Sequence, residues 1–409
     1  MDRRRSPVKT VMILAGESSG ELYGSLLAKA LRRKWPDVHI IGIGGSRMKE
    51  AGVELIARTS DAFGVVEALS ALGKIRTALQ RAGNALREFR PQVLIPIDYP
   101  DFNLRVAAMA RRLGSKVLYY VSPQVWAWRK GRIQRIARLV DKMMVILPFE
   151  ERLYRDAGVA CEFVGHPVVE DIDTLISETG CGQQSAGSLQ AELKPCMKRA
   201  LHLDEKRPLL SILPGSRPSE LKRHFPLILQ TAQKFRNDAD IASARDYQLC
   251  VPLAPNTDEE PYRFYLEALQ REGVMIRRGE SVKVLAASDM AVVASGTATL
   301  QAALLEVPMV VIYRLSPLTY QLGKRIVRVK HIALVNILSG REVVRELLQS
   351  DANPHEIIKA LRKISSDQKY REDMIAAFRA IKQQFAGKHP SDRVAEVAME
   401  MAGERQERP

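Results

Sequence analysis

The sequence predicts an α/β protein made of two Rossmann-like domains facing each other across a cleft. Three observations predict it. Short apolar runs alternate with stretches of helical spacing, a Ser/Gly/Gln-rich segment at 177–200 interrupts the alternation, and several apolar runs stop abruptly at small or acidic residues. Continuous apolar runs separated by helices imply a parallel sheet covered on both faces. With 409 residues the chain is too long for one ordinary core.

The first half runs in that rhythm. "VKTVMILAG" is a strand, "ELYGSLLAKALRRKW" an amphipathic helix and "VHIIGIGG" a second strand. A long helical pattern covers about Val65 to Phe89. "QVLIPI" and "KVLYYV" are strands around the helix "NLRVAAMARRLG", and "DKMMVILP" and "CEFVGHP" complete the series. The expected boundaries are a first domain at 1–175, a linker or insertion at 176–203, a second domain at 204–385, and a terminal helix with a polar tail at 386–409. The second domain restarts at "PLLSILPGSR" and continues through "YQLCVPLA", "VMIRRGE", "DMAVVASGT" and "VPMVVIYRL".

Composition narrows the function. Hydrophobic residues make up 46%, which excludes a disordered chain. The formal charge of +15 calls for an anionic partner: nucleic acid, an acidic membrane surface or a phosphorylated small molecule. The four cysteines (Cys161, Cys181, Cys196, Cys250) form no C-x-x-C pair and are expected to be reduced thiols. The basic N-terminus leads into an apolar run, Val11 to Ala15, too short for a signal peptide, and no segment nears the ~18 apolar residues of a spanning helix. A cytoplasmic protein able to touch a membrane is expected.

Several turns carry chemistry. In "VLIPIDYPDFN" a strand runs into Asp98, with Asp101 three positions on; the acids either hold a turn or face something reactive. Glu17 in "AGESSGELYG" follows the first strand, where an acid can equally be a helix cap. "SILPGSRPSE" puts Gly215, Ser216 and Arg217 between a strand and a helix start, so small residues, free N–H groups and a forked cation suit a phosphate, against a plain βα turn. "VVASGTATLQ" repeats this with Ser295, Gly296 and Thr297, the serine and threonine being expected to cap the helix. Two such turns in one domain suggest a nucleoside diphosphate. Val65, Val66, Leu69 and Leu72 have helical spacing beside Lys74, Arg76 and Arg81, which fits a core helix or an interfacial one. "SPQVWAWRKGRIQRIARLVDK" joins two tryptophans to six basic residues, for nucleic acid, a lipid interface or a cleft wall. No histidine clusters with acids at metal spacing, and Asp98 with Asp101 lacks a third ligand nearby.

Together "AGESSGE", "GIGGSRM", "IDYPDFN", "YYVSPQVWAWRKGR", "LPFE", "FVGHP", "LPGSR", "ASGTATL" and "HIALVNIL" resemble the lipid A disaccharide synthase family, in its order from Ala15 to Leu338. The resemblance implies a B-type glycosyltransferase that joins UDP-2,3-diacylglucosamine to 2,3-diacylglucosamine 1-phosphate (lipid X) with inversion, releases UDP, and needs no metal or cofactor. It implies Asp98 as the base, with Asp101 second and Glu17 assisting on the acceptor side. It implies Arg217 and the Ser295–Thr297 helix start at the UDP, Asn336 and Tyr313 as phosphate or sugar contacts, and Gln301 at the ribose where the family commonly has glutamate. Partners would be the two acylated sugars and the cytoplasmic face of the inner membrane, held peripherally through Val65, Val66, Leu69 and Leu72. Nucleic acid is not expected, and an oligomer is left open. Another UDP-sugar enzyme of the same fold, an epimerase included, and a nonenzymatic binder of anionic lipid or RNA are the alternatives.

Overall fold

The computed structural model describes residues 9–58, 68–126, 131–181, 189–238, 241, 244–316, 320 and 330–403. The chain divides into two compact units, Met1–Glu170 with Gly387–Pro409, and Asp171–Ala386. The first holds a parallel sheet of β1 (Thr10–Ala15), β2 (His39–Gly44), β3 (Glu54–Arg58), β4 (Val93–Ile97), β5 (Lys116–Tyr120), β6 (Lys142–Val145) and β7 (Cys161–Phe163), in the order β3-β2-β1-β4-β5-β6-β7. The second holds β8 (Leu209–Leu213), β9 (Gln248–Leu253), β10 (Val274–Arg278), β11 (Met290–Ala294), β12 (Met309–Tyr313) and β13 (Glu346–Leu348), in the order β10-β9-β8-β11-β12-β13. Both are doubly wound Rossmann sheets, and each reverses direction once, between β1 and β4 and between β8 and β11.

Both faces of the strands are covered, which is why they read as unbroken apolar runs: every residue of β1, β4, β8 and β11 is buried. In the first unit Met12, Leu14, Ile41, Leu94 and Val117 form one core with Ala78, Ala82 and Leu86 of the helix Ala68–Phe89, whose Ile75 and Leu79 pack at its edge. The C-terminal part of that helix is therefore a core helix. Val65 and Val66 lie outside the described residues, as do the side chains of Leu69 and Leu72.

Two expectations need correction. Of 176–203, expected as a linker or insertion, the described residues are largely helical: the helix Val168–Thr179 runs into it, and Leu189–Ala200 is a helix with Leu193 and Met197 fully buried. Lys194 bonds Asp289 at 2.9 Å, and Lys198 donates to the Arg207 carbonyl at 2.7 Å, so this helix belongs to the second unit. Its stripe of Leu189, Leu193 and Met197 was present in the sequence but masked by polar neighbours. Second, Cys181 and Cys196 are joined, with Cα atoms 6.5 Å apart, while Cys161 and Cys250 are free and buried. Folding brings the turn after the helix Val168–Thr179 against the helix Leu189–Ala200, which cysteine spacing alone does not reveal. The terminal helix Pro390–Gly403 returns to the first unit, where it packs on the helix Ser18–Lys34 and on β4 and β5.

Charge fastens that returning helix. Glu162 on β7 accepts from Arg393 Nε at 2.6 Å and pairs with Lys142 at 2.8 Å, and Lys34 meets Glu396 at 2.8 Å. The Arg393 hydrogen bonds, then Lys142, hold the Glu162 carboxyl down to about 2, against a partial burial that opposes them. A depressed carboxylate stabilises the fold above its unfolded pKa of 4.5 and loses that contribution as pH falls toward 2. Arg393→Ala is expected to cost about 1–2 kcal/mol at neutral pH after solvent screening. Urea titrations should show the gap to the unmodified chain narrowing in acid, and a gap that stays constant with pH would assign it to packing.

Candidate active site

The polar residues collect where each sheet reverses. In the first unit Ala15 pairs with Ile97, so Glu17 and Asp98 leave neighbouring strand ends. Asp98 and Tyr99 are consecutive non-glycine residues in the left-handed region, φ +47° and +44°, a conformation that costs energy and needs surrounding support. The support is visible. The Asp98 N–H donates to the Tyr120 and Val121 carbonyls, each at 3.2 Å. Its own carbonyl accepts from the Tyr119 hydroxyl and from Asn103 Nδ2, both at 2.7 Å. Pro100 then opens the helix Pro100–Arg112.

Glu17 begins the helix Ser18–Lys34, yet its side chain makes no capping hydrogen bond. The true carboxylate anchor of that region is Glu21, which is buried and accepts from the Arg47 N–H at 2.9 Å. Tyr99 lies over Gly16 so closely that a Cβ there would meet its ring at 2.5 Å. Burial raises the Tyr99 phenol, and the charges of Glu17 and Asp101 raise it further. The neutral Tyr99 phenol thus stands between the carboxylates of Glu17 and Asp101 at one edge beside Asp98. Arg132, in the helix Arg132–Leu139, pairs with Asp101.

In the second unit β8 and β11 pair, Leu213 beside Val293, so the turns holding Gly215–Arg217 and Ser295–Thr297 sit at adjacent strand ends. Gly215 has φ +98° and would drive a Cβ within 2.5 Å of Glu220, so only glycine suits it. The Glu220 carboxylate accepts from the Ser216 and Arg217 N–H groups at 3.2 and 3.3 Å and meets the Arg217 guanidinium at 3.3 Å. An anionic group thus already occupies those N–H groups, in a capping box that the sequence expectation of free donors did not include.

The other turn differs. Gly296 has φ +154°, and a Cβ there would touch nothing within 4 Å, which leaves bare backbone at the start of the helix Thr297–Leu304. The expected serine and threonine caps are absent: no side chain caps this helix, and the Ser295 hydroxyl donates to the Ile332 carbonyl at 3.2 Å. Gln301 is buried, and its Nε2 donates to Asp171 at 3.2 Å. Tyr313 ends β12 beside His224, ring centroids 6.5 Å apart. His224 is fully buried; Nδ1–H donates to the Pro214 carbonyl at 2.7 Å and Nε2 accepts from the Arg314 N–H at 3.1 Å. Burial lowers its pKa, so it stays neutral and ties the β8 turn to the end of β12. No motif had singled out His224.

Asn336 is not presented to a ligand. It is fully buried, its Oδ1 accepts from the Val343 and Val344 N–H groups at 2.7 and 3.0 Å, and its Nδ2 donates to the Val344 carbonyl and to Glu346 at 2.9 and 2.7 Å. Its amide is saturated. Glu346 in turn accepts from the Ile332 and Ala333 N–H groups, which steadies the segment that Ser295 touches. Among the described residues no three His, Cys, Asp or Glu side chains are grouped as metal ligands. No described helix is long and apolar enough to cross a membrane.

Two reversing parallel sheets, each with polar groups at its carboxyl ends, make the glycosyltransferase B-type fold, which UDP-GlcNAc 2-epimerases share. The UDP-GlcNAc 2-epimerase of Neisseria meningitidis bound to UDP-GlcNAc superposes with a TM-score of 0.63 over 96% of this chain and 98% of that one, at 10% identity, a likeness of fold alone. In sequence, the lipid-A-disaccharide synthetase family profile matches residues 11–397. The lipid-A-disaccharide synthase of Anaeromyxobacter dehalogenans (strain 2CP-1 / ATCC BAA-258) is 41% identical over 391 residues, 95% of this chain and 96% of that one. That of Geobacter metallireducens is 39% identical over 402 residues, 98% and 99% of the two chains. The chain belongs to the lipid-A-disaccharide synthetase family and is a glycosyltransferase of lipid A biosynthesis.

Because the Asn336 amide serves the fold, Asn336→Ala should destabilise the second unit by about 2–4 kcal/mol, several buried backbone groups losing partners at once. A urea titration checks this. An unchanged midpoint with weakened nucleotide binding would return Asn336 to the ligand.

Proposed function

We propose that the protein condenses UDP-2,3-diacylglucosamine with 2,3-diacylglucosamine 1-phosphate, forming a β-1,6 linkage with inversion and releasing UDP. The observation that carries the proposal is the division of chemistry between the two sheet reversals. One unit ends its strands in carboxylates; the other ends them in a cation and a bare helix start.

The acceptor's 6-hydroxyl must lose a proton as its oxygen attacks the donor's anomeric carbon. Asp98 takes that proton, held at its strand end by the contacts to Tyr119, Asn103 and the end of β5. Glu17, whose carboxylate does not cap its helix, orients the acceptor, and Asp101, paired to Arg132, shapes the same edge. As the bond from C1 to the diphosphate breaks, negative charge grows on UDP. Arg217 and the N–H groups of Thr297 and Ala298, which open the helix Thr297–Leu304 ahead of the Thr299 N–H bonded to the Gly296 carbonyl, meet that charge. Gln301, one turn into that helix, would meet the ribose, and Tyr313, at the end of β12, a phosphate or sugar group. Both substrates are anionic and acylated, so a chain of charge +15 would work on an anionic membrane surface, with Val65, Val66, Leu69 and Leu72 as its apolar contact.

The likeness to UDP-GlcNAc 2-epimerases is the specific observation favouring a second activity on a UDP-sugar. One assay separates the two. UDP should appear only when both acylated sugars are present, together with a tetra-acyl disaccharide phosphate by mass; a 2-epimer from the donor alone would support the other activity. Within the proposed reaction, Asp98→Ala should abolish transfer and leave UDP affinity near its original value, and normal turnover would remove Asp98 as base. Arg217→Ala should weaken UDP binding by on the order of tenfold, as the loss of a charge-assisted contact does. Unchanged UDP affinity and turnover would reject that assignment.

A further inference from the structure

Glu150 belongs to the quoted "LPFE" motif, yet none of the roles above uses it. It stands at the third position of the helix Pro148–Arg155 and is 1% exposed. Its Oε2 accepts from the Leu147 N–H at 3.2 Å, the return bond of a capping box. Its Oε1 reaches out of the helix, accepting from the Ser122 hydroxyl at 2.7 Å and from Trp126 Nε1 at 3.0 Å. Ser122 and Trp126 belong to the loop that leaves β5. The same helix grips that loop again through the Tyr154 hydroxyl, which donates to the Pro123 carbonyl at 3.0 Å. Ser122 follows Val121, a left-handed residue (φ +62°) whose carbonyl, with that of Tyr120, accepts the Asp98 N–H. A short covalent and hydrogen-bonded path therefore joins the Glu150 carboxylate to the backbone of Asp98.

We propose that Glu150 is a positioning residue of the acceptor site, one buried carboxylate that binds the Ser122–Trp126 loop to its helix and so holds Asp98 in its left-handed conformation. This rests on the assignment of Asp98 as the base. The fixed donors, Trp126 N–H on one oxygen and Leu147 N–H on the other, each want an acceptor, so the ionised form suits the site. Burial opposes ionisation and is the largest influence; with the charge of Asp98 it pushes the Glu150 carboxyl up to about 7, against the three hydrogen bonds. Glu151 and Arg155 act on Cys161 and Arg132 acts on Tyr119; Tyr119 on β5, beside Asp98, and Tyr154 on the Glu150 helix and Cys161 on β7, both acted on by Glu150, are all raised chiefly by burial. Those three stay neutral near pH 7, which leaves Glu150 and Asp98 as the coupled acids. Loss of a proton from Glu150 tightens the loop, so its ionisation is a switch on the base's position near neutral pH.

Trp126 supplies a readout independent of turnover, because its indole N–H is bonded to the carboxylate. In the full chain the indole N–H resonance, identified by its loss in Trp126→Phe, should titrate with a midpoint near 7. Glu150→Gln should remove that transition. Asp98→Asn, in which Glu150 is intact, should shift the midpoint downward, because a neighbouring negative charge is gone. In the two-sugar assay Glu150→Gln should lower kcat by on the order of tenfold or more with donor KM unchanged, as expected of a displaced base. It should also flatten the rise in rate through neutral pH. An indole signal that ignores pH, a midpoint unmoved in Asp98→Asn, or a folded Glu150→Gln variant with the original kcat and pH profile would overturn the proposal. If the unmodified protein releases no UDP from the two sugars, the proposed function fails, while the indole titration still decides whether Glu150 and Asp98 are coupled.

Discussion

In a doubly wound sheet the strands are buried on both faces, so a strand can offer a polar group only where it ends. Where the winding reverses, the two crossovers depart in opposite directions and leave adjacent strand ends uncovered by their own connections. This protein uses that constraint twice. Between β1 and β4 it places Glu17 and Asp98, and between β8 and β11 it places the turns of Arg217 and Gly296. The apolar strands carry almost no chemistry themselves. They fix the spacing and direction from which the short loops project, and a glycosyl transfer needs that rigidity because its reacting atoms must be aligned before any bond changes.

Holding reactive groups on such loops has a conformational cost. Asp98, Tyr99 and Val121 all take left-handed backbone angles without being glycine, and each such residue costs about 1–3 kcal/mol. They persist because buried polar side chains determine the surrounding geometry several times over. Asn103 and Tyr119 converge on one carbonyl of Asp98, and Glu150 gathers three donors from two elements. The second unit follows the same logic with different residues. Neutral His224 bridges two loops, Asn336 saturates a third, and Glu346 secures the segment beside Ser295.

Electrostatics distinguishes the two sheet reversals. The first gathers Glu17, Asp98, Asp101 and buried Glu150 in a chain whose overall charge is strongly positive, a local inversion of the kind that raises proton affinities. The second offers a guanidinium and helix N–H groups, with Glu220 internally balancing the Arg217 turn. A diphosphate approaching that turn competes with Glu220, whereas the Gly296 turn presents its backbone without such a competitor among the contacts described above. The two turns, which look alike as strand–Gly–helix patterns, therefore differ physically: one has its N–H groups bonded to Glu220, and the other opens on bare glycine backbone.

Local pattern was enough to read most of the fold. Apolar runs of strand length and turns of small residues placed β1, β4, β8 and β11 closely, because burial on both faces leaves a simple signature, while the helices after β1 and β4 begin earlier, at Ser18 and Pro100, than the readings from Glu21 and Asn103. It also placed Asp98, Glu17, Arg217 and Gly296 at strand ends, where position along the chain already implies position in the sheet. What depended on long-range packing was not legible. The helix Leu189–Ala200 looked like a linker because its apolar stripe is thin, and its partner Asp289 lies 95 residues away from Lys194. The union of Cys181 with Cys196, the return of Pro390–Gly403 to the first unit, and the withdrawal of Asn336 from any ligand follow from which surfaces meet after folding. Glu150 and His224 acquire their roles only there as well: Leu147 is a local partner of Glu150, but Ser122 and Trp126, like the Arg314 N–H that meets His224, reach them only through the fold.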